Sequence, residues 1–82
     1  MKERAIAEAK KVHRISKIEE VSLTKQDSKA SGANIRVTEV YAIRMRGPIL
    51  SSSIFKLNIT VSGGIDPATK RVFVDENVIV EE

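Results

Sequence analysis

Residues 34–46, NIRVTEVYAIRMR, decide the fold, because apolar side chains recur there at every second position for long enough to specify a strand and both of its faces. One face carries Ile35, Val37, Tyr41, Ile43 and Met45, interrupted only by Glu39. The other carries Arg36, Thr38, Val40, Ala42, Arg44 and Arg46. The first is a core row and the second a mixed one, so the rest of the chain is read as what packs on this strand or pairs with it.

Upstream, Lys2 to about Arg14 has helical periodicity: Ile6, Ala9 and Val12, with Ala5 and His13 beside them, form one apolar stripe among lysines and glutamates. Alanine at positions 5, 7 and 9 makes the helix slim enough to approach a sheet closely. Glu3 and Glu8 near its start and Lys10, Lys11 and Arg14 near its end suit the helix dipole. Ile18 to Lys25, IEEVSLTK, reads as a short strand of less regular alternation, and Gln26 to Ala33, QDSKASGA, has loop composition and reads as the tip of a long mobile hairpin.

Downstream, the organising strand stops at Gly47-Pro48, where proline removes a backbone donor, and Ser51 to Ser53 prolong the break. Ile54 to Val61 alternates again, with Phe55, Leu57, Ile59 and Val61 on one face. Ser62 to Lys70, SGGIDPATK, supplies turn chemistry, with Pro67 fit for the first central turn position and Asp66 able to accept from the amides beyond it. Arg71 to Asp75 is a fourth strand, which Val78 to Val80 either continues past an irregularity or follows as a short edge strand. The expected fold is a single α+β domain over residues 1–82, one N-terminal helix on one face of an antiparallel sheet of about four strands, α-β-β-β-β. One helix covers one face only, so the other is left open.

Eighty-two residues bury only roughly 60–65% of the surface they expose unfolded, so the stability margin is thin. The chain has no cysteine, hence no disulfide or thiolate metal site to reinforce that core. No apolar run is long enough for a membrane span, and the charged first segment is unlike a secretory signal, so no membrane partner and a cytoplasmic location are expected. The formal charge of +3 is unevenly spread: Met1 to Lys17 holds six cationic against two anionic residues, and Gly47 to Glu82 three against five. That polarity can steer an acidic partner to the first segment, or it is a solvated helix face.

Candidate chemistry is sparse. His13 lies on or beside the helix stripe and reads as a structural histidine, since a general base needs a pocket and an orienting partner. Ser51, Ser52 and Ser53 lack a base at suggestive spacing and nucleophile-elbow glycines. Gly63-Gly64 followed by Lys70 is not a phosphate loop, because Thr69 and Arg71 stand where glycine and a hydroxyl residue are required. Asp66, Asp75 and Glu76 are too scattered for a hard-cation loop, and Asn58-Ile59-Thr60 falls out of strand alternation as readily as from a glycosylation signal. No metal or cofactor is implied, and no enzyme is expected.

The alanine-rich helix AIAEAKKV, the hairpin and the segment Ile65-Asp66-Pro67-Ala68-Thr69-Lys70-Arg71-Val72 together resemble PepSY-type domains of the cystatin-like α+β architecture, whose strands close in a V-D-x-x-T-G-x-V pattern. Lysine stands here at position 70, where that pattern has glycine. The resemblance implies a non-catalytic module that binds or restrains a partner, and it carries over no functional residue. The expected function is therefore a small protein-interaction module that self-associates through the open face, at Arg36, Thr38, Val40, Ala42, Arg44 and Arg46. The alternative is a basic nucleic-acid-binding protein using the three arginines of that face with Lys2, Lys10, Lys11 and Arg14. Against it, Phe55, Phe73 and Tyr41 sit at positions better suited to the core than to base stacking.

Overall fold

The computed structural model describes residues 1–32, 34–47 and 53–82, and in it the alternating stretch forms strand β2 (Asn34–Arg46). It is antiparallel to β1 (Lys17–Ser31) on one side and to β3 (Ile54–Ile65) on the other. Directly opposed residues share a face, so Tyr41 beside Ile59, Ile43 beside Leu57 and Met45 beside Phe55 extend the core row across strands. The β2–β3 register runs without a shift from Ile35 to Arg46. Glu39 therefore marks no bulge in β2, and Val40 and Ala42 keep to the face opposite the core. Glu39 stays in the core row because its carboxylate accepts from the Tyr41 hydroxyl at 2.8 Å and from Gln26 Nε2 at 3.1 Å.

The single helix, α1 (Lys2–Val12), lies on this row. Ala5 and Ala9 are fully buried in one cluster with Tyr41, Ile43, Met45, Leu57, Ile59 and Val61. Met1 and His13 prolong the same four-residue spacing, Met1 packing on the core and His13 stacking on Phe55 with ring centroids 4.2 Å apart. The buried ridge is thus the i, i+4 row through the alanines. Val12, expected in the stripe, is 43% exposed, because the helix sits so close over its small residues that bulkier ones fall to its flanks. On one flank Arg4 donates to the Glu76 carbonyl at 2.7 Å and to Glu8 at 3.0 Å. Lys11 first and Arg4 second hold the Glu8 carboxyl below the usual carboxylate range.

β1 corrects the loop expected at Gln26 to Ala33 as far as Ser31, Ala33 lying outside the described residues. The strand continues through Ser31, pairing Gln26 with Glu39 and Ala30 with Ile35, so the polar segment is an edge strand that β2 holds in place. The irregular spacing of Ile18, Val21 and Leu23 also has its reason here. Register shifts at Ile18/Glu20 and Leu23/Lys25 insert Glu19 and Thr24, and each bulge returns the next apolar residue to the helix side.

β3 likewise outruns its expected end. Gly63 and Gly64 belong to the strand and not to the turn, for a backbone reason. A Cβ on Gly63 would strike the Phe73 carbonyl oxygen and come within 2.8 Å of Met1 Cε, and one on Gly64 would meet the Phe73 ring at 2.9 Å. The turn proper begins at Asp66, whose carboxylate accepts from the Ala68 amide at 2.8 Å while its carbonyl accepts from Lys70 N–H at 2.7 Å. Lys70 has φ 58°, the left-handed conformation for which glycine is the low-cost residue. β4 (Val72–Val74) and β5 (Ile79–Glu81) then pair with the same outer edge of β3, at Gly63–Ile65 and Asn58–Thr60. They are one strand interrupted by two extra residues, which unites the two readings of Val78 to Val80. Pro48, Ser51 and Ser52 lie outside the described residues.

The neutral phenol of Tyr41 is worth stability that alkali removes. Burial, with the carboxylate of Glu39 beside the hydroxyl, pushes its pKa up to about 12 from 10.0. The unfolded chain ionises first, so this contribution is whole below pH 10 and disappears as pH rises toward about 12. We expect about 1–2 kcal/mol to be lost across that window, beyond any loss in Tyr41→Phe. The phenolate absorbance of the chain's single tyrosine reports it directly, and a midpoint at the ordinary value would contradict the buried placement.

Candidate functional site

Among the described residues, the face of the sheet away from α1 has no second layer. Its middle rows, read from the pairings, are Ile79–Thr60–Val40–Lys25 and Glu81–Asn58–Ala42–Ser22. Thr38 lies in the next row and meets Ser62, hydroxyl to hydroxyl, at 3.2 Å. Val40 and Ala42 are half-buried between these polar neighbours, while Ile54, Phe73 and Ile79 stand 50%, 44% and 58% exposed nearer the margins. A shallow depression of about 310 Å³ opens beside Ala42, bordered by Ser22 and Asn58 and by the charged groups of Glu20, Arg44 and Lys56.

The structure brings all six expected residues onto this face, and it adds partners that a sequence does not display. Arg36 grips Asp75 through both guanidinium ends, at 2.6 and 3.5 Å. Arg44 pairs with Glu20 at 3.2 Å and lies 3.9 Å from Glu19, and Arg46 donates to Glu19 at 2.8 Å. The Arg46 hydrogen bond, ahead of the charge of Arg44, holds the Glu19 carboxyl below the usual carboxylate range. Glu19 reaches both arginines because it is the bulge residue of β1. The arginines rim the face as neutralised pairs, not as free cations.

The other candidates do not assemble into chemistry. His13 Nε2 lies 3.6 Å from a Glu82 oxygen, with no hydrogen-bond partner among the described residues, and its ring is taken up by Phe55. Asp66 caps its turn and Asp75 holds Arg36. Among the described residues, no three His, Asp or Glu side chains gather where a metal ion could be held. Among those residues too, no helix is long and apolar enough to cross a membrane.

Sequence reasoning missed a second uncovered surface, on the helix side itself. Eleven helical residues reach about 16 Å, whereas thirteen strand residues reach about 43 Å. Beyond the start of α1, Ile35 is exposed, and exposed Val72 with half-buried Val37 and Ile65 borders a depression of about 200 Å³. The signal was present in the sequence as that mismatch of lengths. No family model, no curated protein and no solved structure matches the chain.

Proposed function

We propose that this chain is a small, non-enzymatic protein-interaction module of the cytoplasm that self-associates through the sheet face α1 leaves open. One observation carries the reading: a face that no described residue covers holds Val40 and Ala42 in its middle and exposed Ile54, Phe73 and Ile79 around them. Water alone would favour polar side chains throughout. An apolar centre rimmed by paired charges has the layout of an interface. The area is sufficient as well, since a molecule whose two longer extents are 52 and 20 Å has about 1,000 Å² on its broad side, against roughly 800 Å² per partner in a stable complex. The resemblance to partner-binding PepSY-type domains points the same way.

Phosphate binding by the same face has less support. Arg36, Arg44 and Arg46 each have a carboxylate partner already, which a nucleic acid would have to displace.

Val40→Arg tests the proposal. We expect a folded chain, by circular dichroism, whose solution mass by light scattering is at most half that of the parent. A folded variant of unchanged mass overturns the self-association reading.

A further inference from the structure

β1 is an edge strand, and among the described residues its outer backbone N–H and C=O groups have no neighbouring strand. The two halves of that edge differ. From Lys17 to Thr24 it is broken by the bulges at Glu19 and Thr24, which twist an edge away from pairing. From Lys25 to Ser31 the register with β2 is continuous, so seven residues present a straight edge. Those from Lys25 to Ala30 are all exposed.

The straight half also carries three charged side chains. Lys25, Asp27 and Lys29 alternate on the open-face side, and none of them has an ion-pair partner among the described residues. Lys29 lies opposite Arg36, a like charge, whose guanidinium is committed to Asp75 on the far side. Asp75 compensates Arg36, which leaves Lys29 as the charge of that row with no ion-pair partner among the described residues.

We propose that residues 25–31 pair edge to edge with the same segment of a second copy, antiparallel and two-fold symmetric about Ser28. Three features of the segment select this occupant and this register. Seven straight residues centred on Ser28 match themselves over their whole length, Lys25 against Ser31 at the ends. In that register Asp27 faces Lys29 of the partner copy and Lys29 faces its Asp27, two complementary pairs. Moving the centre to Asp27 sets Asp27 against itself and Lys25 against Lys29, and moving it to Gln26 runs into the bulge at Thr24. On the helix side the contact brings together only Gln26, Ser28 and Ala30, none of them bulky enough to hold the strands apart. Lysines on an edge normally repel a stranger strand. Here they admit one partner in one register, and the resulting interface is isologous, as in most homodimers.

The edge contact is made by backbone at the rim of the sheet, but its charges lie beside Val40, Thr38 and Arg36 of the open face, so the Val40→Arg background is what separates the two contacts. If both form, the parent chain assembles to at least four copies. Asp27→Lys and Lys29→Asp each place like charges opposite one another twice, so each should halve the mass measured by light scattering. The double variant Asp27→Lys/Lys29→Asp restores the pairs with their signs exchanged and should restore the mass. In the Val40→Arg background, Asp27→Lys should yield the monomer. The edge contact is overturned if the single reversals leave the mass unchanged in both backgrounds, or if the double variant stays as small as the single ones. Val40→Arg alone failing to change the mass counts against the open face and leaves the edge result intact.

Discussion

Ala9→Phe is expected to cost at least about 1–3 kcal/mol of unfolding free energy, because Ala9 has no exposed surface and no room beyond its methyl group. An 82-residue domain has about 4–12 kcal/mol in total, so this is a large share of it. The alanine ridge sets the distance between α1 and the sheet. A ring at position 9 must either lift the helix from Ile43, Leu57 and Ile59 or force those side chains off their rotamers. Ala7 supplies the control, being exposed on the same helix: Ala7→Phe should stay within about 0.5 kcal/mol of the parent. Urea titration of the pair decides it, and equal midpoints would mean that α1 docks through another face.

Gly63→Val should be of similar size and act in a different place. Even the first carbon of a side chain there collides with the backbone of Phe73, and backbone cannot rotate aside as a flexible side chain can. The strand pair Gly63–Val74 has to open, and β4 with it, so Val74 leaves the core and the Asp75 amide loses its 2.8 Å bond to the Ser62 carbonyl. We expect a loss of about 1–3 kcal/mol, with faster amide exchange confined at first to β4 and its partners in β3. Exchange raised evenly over the whole sheet, or a variant as stable as the parent, would show that this close approach does not constrain the fold.

What could be read in the sequence was whatever one strand specifies by itself. β2 has its expected ends, Asn34 and Arg46, because thirteen alternating residues leave little choice of register. The helix, the strand from Ile54 and the antiparallel order followed for similar reasons. Failure came where pairing overrules composition. QDSKAS looks like loop because nothing local makes it a strand, and β2 holds it as one through partners from Glu39 to Asn34. Gly63-Gly64 looks like a turn because the reason for two glycines, the passage of Phe73 over them, arrives ten residues later. The candidate face was legible as six residues in alternation. Its electrostatics were not, because Asp75 and Glu19 come to Arg36 and Arg46 from distant parts of the chain.

The short link between β1 and β2 has a kinetic consequence. Their ladder is nested, from Ser31 beside Asn34 at the tip to Lys17 beside Arg46 at the far end. Once the tip has closed, each further pair forms across a gap already spanned, and the entropy of loop closure is met almost entirely at the first step. Hairpins of this kind assemble in roughly 1–10 μs. α1 has to find β3 from the other end of the sequence, after a surface exists for it to land on. Helix docking is then the late event, with its contacts largely absent from the transition state. A substitution such as Ala9→Phe should leave the folding rate nearly untouched and appear in the unfolding rate. The lifetime of the folded chain is accordingly governed by how tightly two alanines seat a helix, and its speed of formation by a turn at the opposite end of the molecule.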